Sequence, residues 1–472
     1  MMSIYTYIKQ AFPDVPIVDI SDYYSKHIEP AKRIYQNNPP WKDVVNTGIK
    51  KKKRARSLTN MAKVICDKLA TMTFSEQCDI AVSDKEYNDV VMDTLEANCF
   101  WERFPEFLSR SYALGGGVLK GYIENGEICI NYINADRFFP TKWNSRQITE
   151  GVFCNEYVQN GCCYKLFEYH TLTDEGVSIR NVLYKSDSKS NLGTVVPVSE
   201  LFPQLSENVI FNGIKKPIFV YFKPAVGNNM VFDLPLGLSV FANAIDTLKE
   251  VDIVFDSLER EFMLGKKRII VPSELIKTLF DDNGNEVRYF DINDEAFQAL
   301  RCEEAEKLNI IDNTQNLRVT EHTDALKRLL DILGMQLGFS PGTLSFDSSS
   351  GVKTATEVAA DEKDTLRTVQ NNKNIITEVI ENLADVIINL TQAANGSSKE
   401  YTVSVNWQDN IIGDDNTRIE NNINLVQSGL KSKLRAIMDA QNIDEEAAKE
   451  EMKRIEEEQD IGGTMMDGGD DE

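Results

Sequence analysis

The order of periodicities along the 472 residues predicts an α+β fold, helical first, β-rich in the middle and helical again at the end. Three observations carry this. Over about the first 110 residues apolar side chains recur at helical spacing, from Leu58 to Thr71 and from Tyr87 to Ala97. Alternation takes over near Gly117 and lasts to Phe222. Beyond Pro235-Leu236-Gly237 the helical spacing returns.

Each element has its own local signal. Pro13, Pro16, Pro30, Pro39 and Pro40 punctuate the start of a first helical layer. The triplet Gly115-Gly116-Gly117 lacks dinucleotide-binding spacing and predicts a helix stop followed by a hairpin. In VLKGYIENGEICINYI, Asn125-Gly126 separates two alternating runs, the strongest short signal for a tight hairpin, and NEYVQNGCCYKLFEYH repeats it at Asn160-Gly161. KPIFVYFKP reads as the last strand of this region. Phe241, Ala242, Ile245, Leu248, Val251, Phe255, Leu258 and Phe262 then predict one amphipathic helix of about 26 residues, closed by Gly265 and the cations Lys266, Lys267 and Arg268. A small mixed segment follows: the strands KRIIVP and EVRYFDI around a turn at Asp282-Asn283-Gly284, then LNIID. A second helix is expected from about Asp324 to Leu337, and a very long one from about Thr354 to Ala394. The long helix carries a stripe at Ile376, Val379, Ile380, Leu383, Val386, Ile387 and Leu390. TVSVNW reads as a strand, with short helices near 418–426 and 430–439. The last thirty residues hold about thirteen acids against three bases, which predicts a frayed helix passing into disorder.

Composition narrows the function. With 42% hydrophobic and 26% charged residues the chain reads as soluble and globular, and no apolar run approaches the roughly 20 residues that span a bilayer. The start has no signal-peptide pattern. Eight cysteines, at 66, 78, 99, 129, 154, 162, 163 and 302, form no CxxC pair and meet only three histidines. That argues against a zinc site or a disulfide framework and for small buried thiols in a reducing, intracellular setting. A net charge of −23 is wrong for ordinary duplex binding, which relies on cations displacing phosphate counterions, so any contact with DNA is local or weak.

The stretch SFDSSSGVKTATEV, Ser345 to Val358, has the look of a phosphate loop and fails as one. Such a loop needs GxxxxGK then Ser or Thr, between a strand and a helix. Here Val352 separates Gly351 from Lys353, Phe346 stands where the first glycine belongs, and the preceding segment TDALKRLLDILGMQLGF is helical. A flexible linker ending in a helix cap at Thr354 or Thr356 is the better reading. His27, His170 and His322 have no evident partners in sequence, and the expectation is no catalysis, no cofactor and no metal. The run Lys50, Lys51, Lys52, Lys53, Arg54, Ala55, Arg56 is the one strong positive feature. It reads as a solvated helix start or partner-facing patch rather than a phosphate contact, and without interleaved aromatics it offers no base-stacking platform.

The ordered set LPLGLSVFANAIDTLKEVDIVFDSLEREFMLGKKRIIVP, then LLDILGMQLGFSPGTLSFDSSSGVKTATEV, resembles the central segment of tailed-bacteriophage portal proteins. LSRSYALGGGVLKGYI and INADRFFPTKW resemble segments of that family's wing. The similarity covers roughly residues 30–460 and is nearest in pattern to portals of siphophages of Gram-positive hosts. The resemblance implies an α/β wing over 1–235, stem helices at 236–265 and 320–339, and a small β-containing clip at 266–319. A tunnel loop at 340–353, a long helix at 354–395, a wing or crown-like helical region at 396–442 and an acidic tail at 443–472 complete it. It further implies a twelve-fold ring at one capsid vertex, assembled in the host cytoplasm, through which double-stranded DNA is packaged and ejected. The implied partners are other copies of the chain, the terminase motor, the major capsid and scaffolding proteins and a head-completion adaptor, with no membrane. Ser345, Phe346, Asp347, Ser348, Ser349, Ser350, Gly351, Val352 and Lys353 would face DNA; Lys266, Lys267 and Arg268 would form a basic ring in the lumen; Glu286, Arg288, Tyr289 and Asp291 would serve clip docking. Two other readings stand beside it: a nucleic-acid adaptor using the basic run 50–56, and a packaging-type NTPase.

Overall fold

The computed structural model describes residues 4–46, 52–74, 78–145, 147–265, 269–272, 279–280, 286–287, 297–300, 311–312, 316–345, 362–396, 399–407, 422–429, 431–441 and 448–455. The chain divides into two units, Met1–Ser350 with Asp361–Asn406, and Gly351–Ala360 with Trp407–Glu472.

The first unit opens with α1 (Ile4–Ala11), α2 (Ser21–Tyr23), a π-helical turn (Tyr24–Ile28) and α3 (Glu29–Tyr35). A hairpin of β1 (Asp43–Asn46) and β2 (Lys52–Ala55) follows, paired Asp43 to Ala55. The basic run therefore lies partly in a strand, which departs from one of its two expected settings, a helix start, and leaves the other, a partner-facing patch, open. The residues it alternates with are polar, so neither period marks it. Helices α4 (Met61–Thr73), α5 (Lys85–Ala97) and α6 (Phe100–Leu114) flank strand β3 (Cys78–Val82). Asp84 caps α5 by accepting from the Tyr87 amide at 3.1 Å. Phe100, Phe104 and Phe107 of α6 are wholly buried, and Gly115 at φ +81° ends that helix in the left-handed conformation, as expected.

The β-rich middle holds β4 (Gly117–Glu124), β5 (Glu127–Asn134), β6 (Phe138–Trp143), β7 (Ile148–Gln159), β8 (Cys162–Leu172), β9 (Gly176–Ser186), β10 (Thr194–Val196), β11 (Asn208–Asn212) and β12 (Phe219–Phe222). Both Asn-Gly pairs are hairpin turns with positive φ at each position, 54° and 87° at Asn125-Gly126, 52° and 77° at Asn160-Gly161. That geometry matches the right-handed twist of the strands they join. One sheet runs β12-β4-β5 and a larger one β10-β9-β8-β7-β6, with β11 also on β9. Val118, Ile133 and Phe219 of the small sheet pack on Phe138 and Phe153 of the large one. The large sheet's other face, at Phe139, Val152, Phe167 and Tyr169, is covered by Ile8, Phe12, Tyr24 and Ile28. Phe222, on the small sheet's far face, meets Phe107 and Tyr112 of α6.

A 3₁₀ turn (Ala242–Ala244) leads into α7 (Ile245–Leu264). The expected helix began at Phe241, several residues earlier. Residues 236–241 instead lie against the first helical layer: Tyr23 Oη donates to Gly237 O at 2.6 Å, Val240 N to Tyr112 O at 3.0 Å, and Leu236, Leu238 and Phe241 are buried. Tertiary contacts have taken the backbone groups that a helix would use. Short strands β13 (Ile269–Pro272), β14 (Leu279–Phe280), β15 (Glu286–Val287), β16 (Phe297–Leu300) and β17 (Ile311–Asp312) form the orders β16-β13-β17 and β14-β15. Helix α8 (Val319–Gln336) packs against α7. The long helix α9 (Lys363–Asn395) buries the whole expected stripe from Ile376 to Leu390. It lies on the small sheet so closely that a Cβ at Gly121 would sit 2.6 Å from Val386. Strand β18 (Val403–Trp407) pairs with β3.

In the second unit the described residues are helical at 422–427, in α10 (Lys433–Gln441) and at 448–455. Lys431 Nζ donates to Asn422 Oδ1 at 2.7 Å. The rest of the acidic tail lies outside the described residues. Among the described residues no helix is long and apolar enough to cross a membrane. The seven described cysteines are free; Cys66, Cys78 and Cys154 are buried, and burial pushes the thiols of Cys78 and Cys154 up to about 12.

Candidate functional site

Helices α7 and α8 are anchored at three places: to the β1–β2 hairpin, to each other, and through the segment after α8 to α9. Midway along α7, Asp252 and Asp256 are buried carboxylates facing the β1–β2 hairpin and the segment after it. Asp252 accepts from Trp41 Nε1 at 2.9 Å, Thr59 N at 2.9 Å and Thr59 Oγ1 at 2.8 Å. Asp256 accepts both Arg54 guanidinium nitrogens, Nη1 at 2.6 Å and Nη2 at 2.7 Å, and the Ser57 amide at 3.2 Å. The bidentate fork holds the Asp256 carboxyl below the usual carboxylate range. Arg56 Nη1 donates to Trp41 O at 2.8 Å. Two cations of the basic run thus act inside the fold, Arg54 fixing the hairpin to α7 and Arg56 tying the two ends of the hairpin together.

The far end of α7 is stapled to the start of α8. Glu261 accepts from the Arg318 amide at 3.2 Å, Nε at 3.2 Å and Nη2 at 3.0 Å, with His322 Nε2 at 3.8 Å. The Arg318 fork brings the Glu261 carboxyl down to about 2. Beside it the chain leaving α7 and the chain entering α8 approach so closely that a Cβ at Gly265 would meet Leu317 Cδ2 at 2.2 Å.

The third place is the base of the segment that follows α8. Ser340 N donates to Thr365 Oγ1 at 2.8 Å, and Thr365 N donates to Ser340 Oγ at 3.2 Å. Thr365 is the third residue of α9, so Ser340 caps that helix from 25 residues away. The reciprocal pair reproduces a capping box with the two residues on different elements. Thr368 Oγ1 donates to Gly338 O at 2.6 Å, and Lys68 Nζ donates to Thr343 O. Both ends of the stretch between Ser345 and Glu362 are therefore tied to one spot.

Of the predicted site residues, Ser345 lies at this base. Phe346, Asp347, Ser348, Ser349, Ser350, Gly351, Val352, Lys353, Lys266, Lys267, Arg268, Arg288, Tyr289, Asp291, Lys50 and Lys51 lie outside the described residues, as do the candidate caps Thr354 and Thr356. Glu286 is placed in β15 opposite Phe280, and Lys52 and Lys53 in β2 opposite Asn46 and Val45, by their backbones.

Sequence reading missed a buried polar cluster between the two sheets. Lys120 Nζ of β4 donates to Glu168 Oε2 of β8 at 2.7 Å, Asn155 Nδ2 donates to Glu168 Oε1 at 3.1 Å, and His170 Nε2 stands 3.9 Å from Glu168. Burial, the largest single influence, would raise the Glu168 pKa, yet Lys120 and His170 together outweigh it and bring the carboxyl to about 2. His170 is 2% exposed, and its burial lowers its pKa. Only the alternation of β8 could have flagged this pair, since Lys120 joins from another sheet. No group of acids, histidines and cysteines among the described residues has the arrangement of a metal site.

No curated protein matches the chain. Among solved structures, a chain from the virion of a native gene transfer agent particle is similar at 9% identity and a TM-score of 0.40, covering 87% of this chain and 98% of that one. The family model for phage portal protein, SPP1 Gp6-like, matches residues 14–461, nearly the whole sequence. The chain belongs to the SPP1 Gp6-like phage portal proteins, non-catalytic structural components of the virion at the capsid portal vertex.

Proposed function

We propose that copies of this chain close into a ring, twelve in the virion, that conducts double-stranded DNA during packaging and ejection. Family membership implies a ring oligomer and capsid partners. In the finer reading, residues 1–235 are the wing, 236–265 and 320–339 the stem, 266–319 the clip, 340–353 the tunnel loop, 354–395 the long helix, and 396–442 a wing or crown-like region before the acidic tail 443–472. The terminase motor docks at the clip, with Glu286, Arg288, Tyr289 and Asp291 as contacts. A head-completion adaptor later takes its place, while capsid and scaffolding proteins hold the wing.

The observation that carries this reading is the clasp of Ser340 and Thr365. A loop that touches moving DNA must be free in its middle and fixed at its ends. The clasp supplies the fixed ends, joining the segment that leaves α8 to the first turn of α9. The net charge of −23 supports it as well, because a conduit has to let phosphates slide without a tight complex. The engagement of Arg54 and Arg56 within the fold weakens the alternative of an adaptor built on the basic run.

Negative-stain electron microscopy of the purified protein, with mass measured on the same sample, tests the reading. Closed rings with a central hole of about 20 Å or more are expected. A uniform monomer at low and high salt would overturn it.

A further inference from the structure

Buried apolar side chains close the seam between the two sheets, Val118, Ile133 and Phe219 on one side and Phe138, Ile148 and Phe153 on the other. Among them sits the imidazole of His170, 2% exposed, on the face of β8 that also carries Glu168. Its ring meets Phe153 of β7 nearly at right angles with centroids 4.9 Å apart, and Phe219 of β12 at 6.1 Å. The imidazole therefore touches both sheets. Neither ring nitrogen has a hydrogen-bond partner among the described residues, and the 3.9 Å from Nε2 to Glu168 Oε2 is too long for one. Buried polar atoms are seldom left this way, so the pair of bare nitrogens calls for a physical account.

The charges around the ring decide which of its forms fits. Glu168 faces it from the same strand, and across the seam Lys120 of β4 is already bound to Glu168. Phe153 on β7, Ile179 opposite it on β9, Phe138 on β6 and Phe219 on β12 bring no charge. The phenols of Tyr122 on β4, Tyr157 on β7 and Tyr221 on β12 and the thiol of Cys129 on β5 are all pushed up by burial and are neutral below pH 8. One carboxylate is thus matched by one ammonium, and a proton on His170 would set a second cation in an apolar seam with no acceptor in reach. Burial holds the imidazole below its ordinary 6.5, with Glu168 pulling it up and Lys120 pushing it down.

We infer that this seam is an acid-sensitive joint, in which one proton taken up at His170 parts the small sheet from the large one. The two sheets carry different layers: α6 and α9 pack on the far face of the small sheet, α1 and the π-helical turn on the far face of the large one. A parted joint frees the imidazole to bind its proton near 6.5, so the stabilisation is present above 6.5 and is lost as pH falls from there through the closed-state value. Glu168, at about 2, stays ionised across that window and does not share in the loss. The joint is a property of the single chain and does not depend on the ring.

Hydroxyl-radical footprinting of the full-length chain in urea just below its unfolding transition, at about pH 7.5 and about pH 5.5, tests the joint. Phe153 and Phe219 line the seam, while Phe167 is buried on the large sheet's opposite face and serves as the internal reference. Oxidation of Phe153 and Phe219 relative to Phe167 is expected to rise at least about threefold at the lower pH. An unchanged ratio, or a rise that Phe167 shares in full, would overturn the inference. His170→Phe keeps a ring in the seam and removes the proton site, so the rise should vanish and the urea midpoint should fall less on acidification than in the wild type. A variant with the full pH response of the wild type would count equally against the joint.

Discussion

Two carboxylates of α7 show how single residues set the position of a helix. Asp252 is 6% exposed and takes three hydrogen bonds from Trp41 and Thr59. In Asp252→Ala three half-buried donor groups lose their acceptor, and a loss of about 2–3 kcal/mol is expected, read as a lower urea midpoint at unchanged denaturant slope. Glu261 behaves differently because it titrates. Its folded-state pKa of about 2 lies below the unfolded carboxylate value of 4.5. Its contribution is therefore fully present above pH 4.5 and is lost as pH falls towards 2. Glu261→Gln should flatten the pH dependence of stability in that window and lower stability near neutrality, where the ion pair is fully formed, which denaturant melts from the acid range to neutrality would read. Neither role is legible in the sequence, where acids are so numerous that no single one stands out. What selects these two is a partner 193 or 57 residues away.

Elements were legible where their signal is local and hidden where it is tertiary. The Asn-Gly turns read correctly because positive φ at two successive residues is a property of the turn itself. The stripe of α9 read correctly because one side of a helix faces a sheet for several turns. The start of α7 was misplaced because Tyr23 and Tyr112 hold the backbone that precedes it. The β1–β2 hairpin was missed because it carries no apolar alternation. The clasp at the loop base joins two elements that the sequence separates, and it makes a prediction of its own. Thr365→Val removes the hydroxyl that accepts from Ser340 N, and Ser340→Ala removes the cap on α9. Each single change should cost about 1 kcal/mol, and the double change should cost less than the sum, because either one breaks the same reciprocal pair. Gly338→Ala is a third probe: its φ of +73° and a Cβ placed 2.7 Å from Thr368 Oγ1 should loosen the same base.

At the scale of the molecule, an acidic chain proposed to conduct DNA must confine its positive charge. The net charge of −23 per subunit is repeated around the proposed ring, so affinity for the duplex should be low and its salt dependence shallow, since few counterions are released. Arg54 and Arg56 are spent on Asp256 and on the Trp41 carbonyl and are removed from that account. The cations that remain for the lumen in the portal reading are Lys266, Lys267 and Arg268, immediately after α7, where the stem passes into the clip. In that proposal they would let a conduit of this charge hold packaged DNA without gripping it. Reversing all three to glutamate should leave ring formation intact, by mass, and should cause filled heads to lose DNA faster than the wild type when challenged with a chelator of DNA counterions. Retention equal to that of the wild type would remove the basic ring from the mechanism, and the hold on DNA would then fall to the segment tied down by Ser340 and Thr365, which the clasp variants already probe.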